Sequence, residues 1–144
     1  MRLRGGTVAV DFDGVLHAYV SGWTGPVPAD SPEPGALEFV RWLQSEGATV
    51  VVLSTRARTR TGARAIRRWL ADHGFPPLKV TDRKVNAVAY VDDRAVPYQP
   101  ADGWPACRSH VLRLAEPGMD GASRSVFAVS APVAEEKGTK RNPI

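Results

Sequence analysis

The chain has 144 residues, 43% hydrophobic and 24% charged, with Gly 13, Pro 12, Cys 1 and Trp 4, which suits one globular core and leaves no room for a second catalytic domain. No apolar run approaches the roughly 20 residues that cross a bilayer. The start, Met1-Arg2-Leu3-Arg4-Gly5-Gly6, lacks the apolar region of a signal peptide, so a cytoplasmic protein with no membrane partner is expected. The formal net charge of +4, from 19 basic and 15 acidic side chains, is modest; Arg56, Arg58, Arg60, Arg64, Arg67 and Arg68 nevertheless crowd together, which suits an anionic substrate as well as a solvated helix face.

Thr7-Val8-Ala9-Val10-Asp11-Phe12 is a short apolar run that ends in carboxylates and Gly14, the pattern of a buried strand opening into a loop. Residues 15–34 hold Gly22, Gly25, Pro26, Pro28, Pro32 and Pro34, a connection of about 20 residues and long enough to point to function or disorder. Pro34 suits a first helical turn, Leu37, Val40 and Leu43 recur at helical spacing, and Gly47 supplies a stop. Thr49-Val50-Val51-Val52-Leu53 predicts a second buried strand, and Ile66, Trp69 and Leu70 predict a helix ending at Gly74. Weaker strands are predicted at Leu78-Lys79-Val80 and, with more apolar character, Ala87-Val88-Ala89-Tyr90-Val91, then at His110-Val111-Leu112-Arg113-Leu114. Alternating strands and helices imply an α/β, Rossmann-like three-layer sandwich with a mainly parallel sheet over residues 1–115. Residues 116–144, ending near Lys140-Arg141, lose periodicity and read as an extension with partial disorder, in which Ser125-Val126-Phe127-Ala128-Val129 is the one candidate edge strand. Cys107 stands alone, which excludes an internal disulfide and a thiolate metal cage.

Ligands of open parallel sheets sit at the carboxyl ends of the strands. Three predicted strands end there in complementary polar groups: Asp11 and Asp13; Ser54, Thr55 and Arg56; and Asp92 and Asp93, with Lys84 shortly before the last pair. Clustered carboxylates repel one another unless a cation joins them, and hard oxygen donors favour Mg2+ with a phosphate substrate completing its shell. Asp11 and Asp13, two apart on extended chain, project to one side, so that one can attack phosphorus while the other serves the leaving oxygen as acid. Lys84 with a Ser54 or Thr55 hydroxyl would hold the non-bridging oxygens. A zinc spacing, a Gly-x-Ser-x-Gly elbow and a phosphate-binding Gly-rich loop are all absent.

Asp11-Phe12-Asp13-Gly14-Val15 resembles the DxDG(T/V) signature of the haloacid dehalogenase superfamily, with Ser54 or Thr55, Lys84 and Asp92-Asp93 in the places of its second, third and fourth motifs, over about residues 7 to 97. The resemblance implies a magnesium-dependent phosphatase in which Asp11 forms an aspartyl-phosphate and Asp13 is the acid and later the base. It also implies metal ligation by Asp11, by Asp13 through its backbone carbonyl, and by the Asp92-Asp93 pair, of which either can be the direct ligand and Asp93 is favoured by its position. Ser54-Thr55-Arg56 and Asp92-Asp93-Arg94 are further similar to the phosphatase half of polynucleotide kinase/phosphatases, where both arginines assist at the phosphate. Val85 after Lys84, where the family often has Pro, and Val15 in place of Thr depart from the pattern. The spacings leave no room for a helical cap domain, which implies an open cleft suited to a nucleotide or nucleic-acid end, or a homo-oligomer partner over it. Tyr19 and Trp23 could serve a small flap by stacking on a base. His17 reads as a solvated loop residue, His73 as a complement to a helix dipole, and His110 carries no signal. The rival readings are a phosphatase of a small metabolite, a phosphoacceptor module of receiver type, and a silent phosphate-binding domain. In a receiver the phosphorylated Asp stands on a middle strand, where this chain has Ser54, and a mere binder has no use for Asp13.

Overall fold

A computed structural model describes residues 1–116. It contains β1 (Thr7–Asp11), α1 (Ala36–Ser45), β2 (Thr49–Leu53), a 3-10 turn at Thr55–Arg58, α2 (Arg60–Asp72), β3 (Lys79–Thr81), β4 (Ala89–Val91) and α3 (Gly103–Ala115). The strands form one sheet in the order β3-β2-β1-β4 with every pairing parallel. The chain is therefore a small α/β domain of Rossmann-like build, the fold class that the alternating pattern predicts.

The register explains the core. Val8 pairs with Val50, Val10 with Val52, and Val52 with Val80, so their side chains share one face of the sheet. Val40 and Leu43 of α1 and Ile66, Trp69 and Leu70 of α2 join those valines in one buried cluster. Phe12, Leu16 and Ile66 are essentially without solvent contact, each burial contributing about 1.5–3 kcal/mol relative to exposure. Both helices stop in the same way: Gly47 and Gly74 take left-handed φ values of 85° and 76°. The following Ala48 and Phe75 amides then reach back to the Leu43 and Leu70 carbonyls at 3.0 and 2.9 Å, which satisfies the orphan carbonyls of the last turn.

The opposite face carries Ala9 and Val51, also buried. Residues 82–88 run from the carboxyl end of edge strand β3 to the start of β4 on the other edge, and Tyr90, paired beside Ala9, meets them on this face. The Tyr90 hydroxyl anchors the crossing by donating to the Val85 carbonyl while accepting from the Val85 amide at 3.0 Å. The strand predicted at 110–114 is instead the last turns of α3. Ala106, His110 and Leu114 are half-buried and four residues apart, a helical stripe that a five-residue window of Val and Leu conceals. The candidate strand at 125–129 and nearly all of the predicted extension lie outside the described residues. No helix among the described residues is long and apolar enough to cross a membrane.

Candidate active site

Because all strands run the same way, their carboxyl ends share one rim, and Asp11, Asp92 and Asp93 come together there. Asp11 closes β1, and Val91 pairs beside Val10, so Asp92 emerges level with Asp11. Carboxylate oxygens of Asp11, Asp92 and Asp93 all lie within 4.8 Å of one another. Burial above all pushes the Asp11 carboxyl up from 3.8 to about 7; the Phe12 amide, donating to Asp11 Oδ1 at 2.8 Å, opposes it, and the charges of Asp92 and Asp93 and a hydrogen bond with Asp93 add smaller rises. Gly14 explains the glycine of the motif twice over. Its φ is +82°, and a Cβ there would stand 2.6 Å from Asp93 Oδ2, so a side chain would expel one of the three carboxylates.

Asp13 has a different environment. Its Oδ2 accepts from Arg56 Nε at 2.7 Å and its Oδ1 bonds His17 Nδ1 at 2.8 Å. Its carboxyl group is therefore not one of the clustered three, and the contribution to a metal that the sequence implies for Asp13 rests on its backbone carbonyl alone. Arg56 is 5% exposed. Beyond Asp13, its Nη1 donates to the Gly25 carbonyl at 2.7 Å and the Pro26 carbonyl at 3.3 Å, and its guanidinium lies 4.5 Å from the Trp23 ring centroid and 5.8 Å from that of Tyr19. Its Nη2 is buried with no hydrogen-bond partner among the described residues. Gly62, in the first turn of α2, lets the chain close on this residue: a Cβ there would lie 1.9 Å from the Arg56 carbonyl oxygen.

Ser54 is buried, and its hydroxyl oxygen accepts the Arg56 amide at 3.2 Å. That bond caps the 3-10 turn while the O–H remains a donor. Thr55, the first residue of that turn, is exposed. Of the two hydroxyls that the sequence leaves open, Ser54 is thus the one set into the site. Arg94 is exposed, and its amide holds Asp92 through Oδ1 at 2.7 Å. Lys84, on the 82–88 crossing, is also exposed, with its ammonium 5.8 Å from the Tyr90 ring centroid.

The long 15–34 loop is stitched down rather than loose. The Ala18 amide donates to the Ser31 carbonyl at 3.0 Å, the Glu33 amide to the Leu16 carbonyl at 2.9 Å, and Trp69 Nε1 of α2 to the Asp30 carbonyl at 2.9 Å. The expectation of a solvated His17 is corrected: the residue is 0% exposed, stacked on Phe12 at 5.2 Å and edge-on to Trp69 at 5.5 Å. The available signal was Asp13 four residues earlier; the partner that completes its bonding, Asp30, lies across a loop whose path no periodicity reveals. Tyr19 is held at φ +56°, a left-handed conformation that costs a non-glycine residue energy. No family model, no curated protein and no solved structure matches the chain.

Proposed function

We propose that the chain is a magnesium-dependent phosphomonoester hydrolase that works through an aspartyl-phosphate and acts on a nucleotide or nucleic-acid phosphate end. One observation carries this reading: two aspartates of a single strand end stand in opposite surroundings. Asp11 is crowded by other carboxylates and Asp13 is held between a guanidinium and an imidazole. The contrast gives the two carboxyl groups different parts, and the motif resemblance assigns the nucleophile's part to Asp11 and the acid–base part to Asp13.

The donor set fits a hard divalent cation. Three carboxylates within 4.8 Å, one of them raised to about 7 by its burial and its neighbours, are relieved when positive charge joins them. Asp11, Asp92 and Asp93 would hold Mg2+, with the Asp13 carbonyl as the further ligand that the motif resemblance implies. The ion would supply charge neutralisation for a bound phosphate. Asp11 supplies the attacking oxygen. Asp13 gives a proton to the leaving oxygen and takes one from the water that cleaves the aspartyl-phosphate. The Ser54 O–H and the Arg56 Nη2 are the buried donors left over for non-bridging oxygens. Arg94, exposed next to Asp92, and Lys84, exposed on the 82–88 crossing, are suited to guiding an anion in.

An anionic substrate is supported by the open cleft at the β3 end of this rim, about 410 Å3 in volume and lined by Arg58, Arg60, Arg64 and Arg67, with Asp82 its one acid. The test is phosphate release with Mg2+ from 3′-phosphorylated oligonucleotides, mononucleotides and sugar phosphates, with an aryl phosphate as a generic substrate. Release that is abolished by Asp11→Asn and strongest on the oligonucleotides is expected. Full activity in Asp11→Asn would remove the nucleophile assignment, and a preference for sugar phosphates would move the substrate to the small metabolites.

A further inference from the structure

His17 is the one fully buried imidazole at the rim, and the chemistry assigned above gives it no task. Its two ring nitrogens face different partners. The Asp30 amide lies 3.0 Å from Nε2 and can only donate, so Nε2 accepts and carries no proton. The ring proton therefore sits on Nδ1, 2.8 Å from Asp13 Oδ1, and Nδ1 donates. The ring cannot turn away. Phe12 lies parallel to it, with an interplanar angle of 14°, and Trp69 meets it at 80°. The Trp69 indole N–H itself fixes the Asp30 carbonyl at 2.9 Å, so the residue whose amide selects the tautomer is tied to α2. Arg56 Nε takes the other oxygen of Asp13 at 2.7 Å. A donor on each of the two oxygens holds the carboxyl group in one orientation, and each oxygen keeps a second lone-pair site for a proton.

From this geometry, and resting on the phosphatase reading above, we propose that His17 is a positioning residue. Its Nδ1–H, fixed by the Asp30 amide, orients the Asp13 carboxyl group for proton transfer to the leaving oxygen. His17 touches neither the substrate nor the carboxylate cluster, so its removal lowers turnover and leaves KM close to wild type. The loss also depends on the leaving group. A 2,4-dinitrophenolate departs without a proton, whereas the alkoxide of glycerol 2-phosphate needs one.

The test compares kcat/KM for these two esters in the full chain with Mg2+, using His17→Gln and His17→Asn. Gln places an amide near the Nε2 position and loses the Nδ1 donor; Asn keeps an N–H where Nδ1 stood. Both variants are checked for folding by thermal melting. With His17→Gln, a fall of about 10- to 100-fold on glycerol 2-phosphate and under about 3-fold on the dinitrophenyl ester is expected, a fraction of the 10²–10⁴ that acid–base catalysis supplies. His17→Asn restores the alkyl ester to within about 5-fold. Equal losses on both esters, or none on either, overturn the inference. Nitrogen NMR of the metal-free protein gives an independent reading: an Nδ1–H tautomer whose Nδ1 signal moves in Asp13→Asn is expected, and an Nε2–H tautomer overturns the inference. Wild-type protein inactive on both esters and on the 3′-phosphorylated oligonucleotides defeats the phosphatase reading itself, an outcome visible before any variant is made.

Discussion

Neutralising Asp11 should make the metal-free protein more stable at pH 8 than at pH 4.5, relative to wild type. The folded protein holds the Asp11 proton up to about 7, whereas the unfolded chain releases it near 3.8. Between these values the native state binds more protons, so stability falls as pH rises and is fully lost above about 7. Three units correspond to a ceiling of about 4 kcal/mol. Asp11 keeps partial solvent contact at the rim, which screens the interaction, and about 2 kcal/mol is the working expectation. The assay is urea unfolding of wild type and Asp11→Asn in chelator at both pH values. The change in the difference between the two proteins isolates this group from every other titration. A difference that does not change with pH refutes the argument. Adding millimolar Mg2+ at pH 8 should raise wild type and leave Asp11→Asn nearly unmoved, because the cation relieves the same repulsion.

The remaining expectations concern the scaffold. Gly62→Ala drives a methyl group into the Arg56 carbonyl and should cost about 3 kcal/mol in urea unfolding; a cost below 1 kcal/mol, roughly the propensity effect alone, would mean that the two segments are less closely packed. Thr59→Ala removes the side-chain acceptor of the Gly62 amide and should cost about 1 kcal/mol by the same measurement. Arg56→Lys loses the planar fork that ties Asp13 to the Gly25 and Pro26 carbonyls, so limited chymotrypsin should cut after Tyr19 and Trp23 faster than in wild type. An unchanged cleavage rate would show that the backbone bonds of the loop suffice to hold it.

Much of this molecule was legible because its two central strands are continuous apolar runs. Val8 to Val10 and Val50 to Val52 are buried on both faces, and a sequence records that directly as an unbroken hydrophobic segment. The stops of both helices were readable for an equally local reason, the glycine that each left-handed cap requires. The rim was legible as far as strand ends determine it: Asp11, Asp92 and Asp93 converge because a parallel sheet aligns its carboxyl ends. What escaped depends on contacts between distant segments. For Arg56 the sequence offered a phosphate ligand but not its ties to Asp13 and to two loop carbonyls; no local pattern announces that a residue in an arginine-rich stretch is 5% exposed while its neighbour Arg58 is exposed. His17 is hidden for the same reason. The segment at 110–114 was misread because five residues, His110-Val111-Leu112-Arg113-Leu114, satisfy either period, and only the longer stripe through Ala106 decides.

The three clustered acids hang from unequal supports. Asp11 belongs to β1, hydrogen-bonded on both sides, whereas Asp92 and Asp93 follow β4, an edge strand of three residues. Amide exchange in such an edge proceeds through fraying, while exchange in β1 demands opening of the whole sheet. A cation bridging the two would act as a rivet between a durable element and a transient one. Its concentration would then be recorded as slowed deuterium uptake in residues 89–94, with the centre of the sheet left as it was.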